Sequence, residues 1–201
     1  SRLSNNALAG FYEYAIKVTG DSTKVIGNLV EDCHRAGVHV HADAVVIQSN
    51  TISDCELMDW GYIDNEGVGL HVIGDDVLVI GNVITNCGAI DFTGYNGYWI
   101  GGAAYIRGLR GVVKENTISA CYLRVMDTIG FGCTLQGGGL CMDVSHSVIE
   151  NNDILGNHCL AKSRDDCYGG GVSLSGDGNT FRQNRLEGNY IESEWHPGGK
   201  L

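Results

Sequence analysis

His39, His41, His71, Tyr105, Arg107 and Asp143 are spread widely along the 201-residue chain, yet each stands eleven or nine residues before one of the asparagines Asn50, Asn82, Asn116 and Asn152. A shared offset from a repeated landmark brings such side chains to one face. Removing a proton α to a carboxylate needs a base, an acid and a cation that neutralises the carboxylate. His39 or His71 suits the base, Tyr105 the opposing acid and Arg107 the carboxylate clamp. Hydrolysis of a glycosidic bond would instead need two facing carboxylates. Asp143 is the one acid of the set, so a partner would have to come from Asp59, Asp64, Glu66 or Asp91.

The landmark asparagines are Asn6, Asn28, Asn50, Asn82, Asn116, Asn152 and Asn184. Each has an aliphatic or aromatic residue three before it and an aliphatic two after it, as in Ile47-Gln-Ser-Asn-Thr-Ile-Ser-Asp-Cys55 and Val113-Lys-Glu-Asn-Thr-Ile-Ser-Ala-Cys121. Twelve and ten residues before each one from Asn28 onward stand pairs of apolar residues, among them Val38/Val40, Leu70/Val72 and Leu140/Met142. Apolarity at period two marks a strand with one buried face. The alternate positions must then point outward, in two columns: Lys17, His39, His71, Tyr105, Cys141, Ser173 and Thr19, His41, Ile73, Arg107, Asp143, Ser175. Rungs ~4.8 Å apart would gather the six candidate groups into one patch. The intervals between asparagines are 22, 22, 32, 34, 36 and 32 residues, with the block before each one fixed, so the extra length leaves the coil at one corner, after the +5 position.

A strand-bearing repeat of about 22 residues with no helical period is a solenoid signature. The segments Gly137-Gly-Gly-Leu-Cys-Met-Asp-Val-Ser-His-Ser-Val-Ile-Glu-Asn-Asn-Asp-Ile-Leu-Gly-Asn157 and Gly169-Gly-Gly-Val-Ser-Leu174 resemble the repeat of the right-handed parallel β-helix, the pectate-lyase-like superfamily. The resemblance implies an all-β solenoid of about seven rungs with long insertions on one side. It also implies a short list of activities: polysaccharide lyase, uronan epimerase, glycosidase, or a non-enzymatic spike, adhesin, sheath or filament. Calcium is the cofactor that often accompanies the enzymes; no tetrahedral Cys/His spacing calls for another metal.

The chain reads as one domain over residues 1–201, part of a longer precursor or of an assembly that covers its ends, with self-association through the solenoid ends as one expectation. A net charge of −11 argues against nucleic acid and anionic membranes, and no run is long enough for membrane insertion. The expected partner is a polysaccharide or other glycan, and the expected location secreted or cell-surface. Trp60, Tyr62, Tyr95, Tyr98 and Trp99, on the insertions 56–67 and 88–101, would supply ring platforms for sugar faces, beside His41. The asparagines themselves read as an inward amide ladder. Cys33, Cys55, Cys87 and Cys121 share the +5 position and read as a buried thiol column continued by Asn157 and Asn189. Cys159 with Cys167, and Cys133 with Cys141, lie in or beside the late insertions and would make disulfide staples in an oxidising compartment.

Overall fold

The computed structural model describes residues 1–59, 65–92, 98–126, 134–161 and 166–193. Every strand pair within them is parallel, and none of them is helical. The chain winds through three principal sheets. A six-stranded front sheet is built from the strands Tyr14–Val18, Ala36–His41, Leu70–Ile73, Ala104–Leu109, Leu140–Ser145 and Val172–Ser175. Two seven-stranded sheets follow, one on either side of the landmark asparagines: Arg2–Ser4 through Thr180–Arg182, and Ala7–Ala9 through Arg185–Glu187.

The inward positions form the core. Val38, Leu70, Ala104 and Leu140 stack as one column and Val40, Val72, Ile106 and Met142 as another, all almost fully buried. Between the two seven-stranded sheets the asparagines do what the repeat demands. From Asn28 to Asn152 each donates its backbone N–H and one Nδ2–H to Oδ1 of the asparagine on the next rung, and its other Nδ2–H to a carbonyl of the preceding rung, as Asn82 does to Asn116 (2.9 and 3.0 Å) and to Ile47 (2.9 Å). The residue before each asparagine turns the corner with positive φ, whether it is Gly27 (65°) and Gly81 (62°) or Ser49 (53°), Glu115 (58°) and Gln183 (56°). Left-handed backbone is disfavoured outside glycine by roughly 1–2 kcal/mol, so the ladder, not glycine alone, fixes this corner.

Further ladders hold the other corners. Asn157 takes the N–H of Cys121 on its Oδ1 (2.9 Å) and itself donates to Asn189 (3.0 Å). At an outer turn Asp21 accepts from the backbone of Asp43, Asp43 from Asp75 and Asp75 from Leu109, at 2.8–2.9 Å.

The described ends of the insertions are strands. Their bases form two additional sheets: outgoing strands Glu56–Asp59, Gly88–Asp91, Tyr122–Val125, His158–Ala161 and Tyr190–Ser193, and returning strands Asn65–Glu66, Tyr98–Ile100, Thr134–Gln136 and Asp166–Tyr168. The reason is again period two. Ala89, Leu123 and Cys159 face Trp99 and Leu135 across a core that joins the main one, with Leu57 and Cys167 packed against it. Each return ends in a glycine with φ near 60°; at Gly101 a Cβ would sit 2.2 Å from the carbonyl oxygen of Ala104, so the chain can re-enter the front sheet there only without a side chain.

The thiol column is present, with Cys33, Cys55, Cys87 and Cys121 at most 1 % exposed. The disulfide staples are corrected: none of the seven described cysteines, Cys141, Cys159 and Cys167 among them, forms a disulfide, and Cys133 lies outside the described residues. Cys159 on an outgoing strand and Cys167 on a returning strand are spent on packing the extension, and burial pushes the Cys159 thiol up to about 12.

Two measurements check this architecture. Asn116→Leu leaves two buried donors of Asn82 without an acceptor and is expected to lower unfolding free energy by roughly 3 kcal/mol in urea titration. Asn6→Leu, at the first rung, removes a donor from a part-buried acceptor and should cost well under half of that. In native protein, iodoacetamide should spare Cys33, Cys55, Cys87 and Cys121, and denaturant should release all four; rapid native labelling of any of them contradicts the column.

Candidate functional site

The front sheet places the sequence candidates in register. Lys17, His39, His71, Tyr105, Cys141 and Ser173 occupy one row of paired positions, and His41, Ile73, Arg107, Asp143 and Ser175 the next. The two rows are not equivalent. Returning strands line the first row from His71 onward, so Tyr105 and Cys141 are buried at 5 % and 4 % exposure, whereas His41, Arg107 and Asp143 in the second row are exposed. The expected single patch is therefore divided into a sheltered column and an open one.

Rungs 1 and 2 carry no extension, and the wall begins abruptly with Glu56–Asp59 and Asn65–Glu66. At that step a cavity of ≈150 Å³ is lined by Tyr14, Arg35, Ala36, His39, Leu57, Glu66, Val68 and His71. Three of its lining rings stack as a column, Tyr14 to His39 at 4.5 Å and His39 to His71 at 4.7 Å between centroids, and beyond the lining His71 lies edge-on to Tyr105 at 5.6 Å. Arg35 and Lys17 each stand 5.5 Å from the Tyr14 ring centroid.

The protonation pattern follows from burial. His71 Nδ1 lies 3.0 Å from the backbone carbonyl of Glu66, which can only accept, so Nδ1 carries the hydrogen. Burial, then the neighbouring His39, pushes the His71 pKa down to about 4, which leaves Nε2 as a lone-pair acceptor at neutral pH. Nε2 is buried without a hydrogen-bond partner, 3.6 Å from Oε2 of Glu66, and His39 Nδ1 is likewise buried and unpartnered. His39 is also shifted down, by burial first and then by Lys17, His41 and Arg35. Tyr105 moves the other way, up to about 12, because burial and the Glu66 charge disfavour its phenolate. Two neutral imidazoles and a protonated phenol are the states that a base and an opposing acid require.

Arg107 is not at this cavity. It pairs loosely with Asp143 (3.7 Å) on the open row, where both side chains are more than half exposed. Such a pair contributes little to stability. Arg35 is the guanidinium that the fold delivers to the imidazoles, and Tyr14 the aromatic wall; neither stood out in the sequence because neither belongs to an outward column. The one legible signal was the jump of the repeat from 22 to 32 residues after Asn50.

Of the expected ring platforms, Tyr98 is 56 % exposed, while Trp99 is corrected to a core residue at 2 % because its alternate position on the same strand faces inward. Trp60, Tyr62 and Tyr95 lie outside the described residues, as does Asp64. A second cavity of ≈220 Å³ is lined by Asp32, Cys33, His34, Asp54, Glu56, Asn86 and Tyr122. There the Tyr122 hydroxyl crosses over Gly88 to donate to Glu56, and Arg124 lies 4.2 Å over the Tyr122 ring while donating to His158 Nε2 at 3.1 Å. Among the described residues no group of three or more His, Cys, Asp or Glu side chains is placed to hold a metal ion.

A family model described as the right-handed beta helix region matches residues 1–198 of the chain. No curated protein and no solved structure matches it.

The buried imidazole makes a prediction with a definite sign. An unfolded histidine gains its proton near pH 6.5 and folded His71 near 4, so the stability associated with His71 is complete above 6.5 and is lost as pH falls from 6.5 toward 4. In ¹⁵N NMR, His71 should remain the neutral Nδ1–H tautomer down to about pH 4; a midpoint near 6.5 would contradict its burial.

Proposed function

The chain belongs to the right-handed β-helix family, and on that premise we propose that it is a secreted or cell-surface protein that binds a polysaccharide on its front sheet, with acid–base machinery suited to a uronan lyase or epimerase. The observation that carries the reading is the cavity at the step, whose lining brings His39 and His71, two imidazoles with a buried unpartnered nitrogen each, together with Arg35. In this reading His71 would take the proton and Arg35 would neutralise the carboxylate. A sugar chain would run from this cavity along the open row of His41, Ile73 and Arg107, on a coil of seven rungs whose extra length is gathered on one side. Tyr98 is the exposed ring among the described candidates that could stack on it.

A purely structural solenoid is the second reading. It is favoured by the exposure of Leu3 and Phe11 on the first rung and of Phe181, Leu186 and Ile191 on the last, apolar surfaces that a second copy could cover. Sedimentation of the purified chain would then show end-to-end oligomers that disperse when Leu186 and Ile191 are replaced by Lys.

Binding to a panel of acidic and neutral glycans, with absorbance at 235 nm followed for lyase turnover, tests the first reading. Arg35→Ala is expected to weaken binding of acidic glycans about tenfold or more, the scale of one charge-assisted contact. Arg107→Ala should weaken it only a few-fold, because that guanidinium is shared with Asp143. No signal for the unaltered protein on any glycan would leave the structural solenoid.

A further inference from the structure

The outward face of the outgoing sheet carries a second cluster of titratable groups, none of which lines the step cavity. Ala89, Leu123 and Cys159 point into the core, so the residues beside them in the strands point out. Register then stacks Tyr122, His158 and Tyr190 on successive strands, with Arg124, Leu160 and Glu192 in the next row. The His158 ring lies between two phenols, nearly parallel to Tyr190 (2° at 4.9 Å) and 5.8 Å from Tyr122. Tyr122 is itself held, because its hydroxyl donates to Glu56 across the gap left by Gly88.

Arg124 is tied to this stack twice. Its guanidinium lies 4.2 Å from the Tyr122 ring centroid, and its Nε–H donates to His158 Nε2 at 3.1 Å. A nitrogen that accepts has a lone pair, so the hydrogen of neutral His158 sits on Nδ1. A protonated ring has no lone pair left: Nε2–H and the Arg124 Nε–H would face each other at 3.1 Å as like charges. His158 is held between its two rings, and an imidazolium is attracted by their faces, so the guanidinium is the group that leaves.

We propose that Arg124 and His158 form a pH switch: neutral His158 holds the guanidinium on the Tyr122 ring, and protonated His158 releases it to solvent. The acid state uncovers the Tyr122 ring and leaves two cations where one was tethered, on a chain of net charge −11. The other groups on the strands packed against His158 are few. Tyr190 stacks on it, and exposed Glu192 stands in the row of Arg124 on the far side of Leu160. The returning strand Asp166–Tyr168 meets the core through Cys167, and its Asp166 and Tyr168 alternate away from that contact. Burial, then Arg124, holds the His158 pKa below the ordinary 6.5. The stability tied to neutral His158 is therefore complete above pH 6.5 and is lost as pH falls through the folded value.

The test is ¹⁵N NMR of the full chain from about pH 7.5 down to acid unfolding, with the His158 ring nitrogens and the Arg124 Nε–H followed together. His158 should begin as the neutral Nδ1–H tautomer and titrate below 6.5, and the Arg124 Nε–H should move to the shift of a free arginine with the same midpoint. Arg124→Met should raise the His158 midpoint, since it removes both a neighbouring charge and the donor that neutral Nε2 accepts. His158→Phe keeps a ring in the stack and should hold the Arg124 signal at the free-arginine shift at every pH. An Arg124 signal that stays in place while His158 titrates, or that still moves with pH in His158→Phe, overturns the switch. So does an unchanged His158 midpoint in Arg124→Met, or a His158 that remains neutral until the chain unfolds.

Discussion

Every interior asparagine of the main ladder performs three hydrogen-bonding tasks at once: it closes the backbone corner of its own rung, fills the acceptor below and donates to the carbonyl above. A buried amide is tolerable only when all of its groups are met. The ladder meets them solely when successive rungs stand in register, so it enforces the stacking that the apolar columns reward but do not specify. Hydrophobic burial alone would accept a shift of two residues along a strand. The amides would not, because every Oδ1 would then miss both donors.

That register is what makes a site on the front sheet conceivable. Groups separated by 32 or 34 residues in sequence become ring neighbours at 4.7 and 5.6 Å because the corner beneath them is pinned. The corner also explains why length variation is confined. The amide-bearing segment cannot lengthen without breaking its bonds, so inserted residues gather after the +5 position, where alternating apolar residues let them pair as sheets of their own.

The candidate chemistry arises from an interruption of this regularity. Where the extension starts, two strands have a wall on one side and none on the other, and polar groups from rungs 1 to 3 meet in a partly enclosed space. Enclosure lowers the pKa of His71 and raises that of Tyr105, opposite shifts with one cause, the penalty for charge away from water. Farther along the sheet the wall is continuous, and there the same outward column is packed shut at Tyr105 and Cys141.

The sequence by itself determined the fold class, the register and the inward or outward sense of nearly every strand residue, because each follows from a repeated local pattern with period two. His39, His71, Tyr105, Arg107 and Asp143 were legible as outward groups for that reason, and the buried Cys33, Cys55, Cys87 and Cys121 as inward ones. Tertiary structure alone decided which outward groups face solvent. Exposure depends on what packs over a sheet, and the returning strands that cover Tyr105 are distant from it in no repeat pattern. The same holds for Arg35 and Glu66, which enter the cavity from a corner and an extension strand, and for Trp99, whose side of the strand is set by an insertion with its own alternation. The opposite assignments of Cys159 and Cys167, read as a bridge and found as packing, share this origin: sequence proximity suggested a staple, and the core between the two extension sheets determined the use of both thiols.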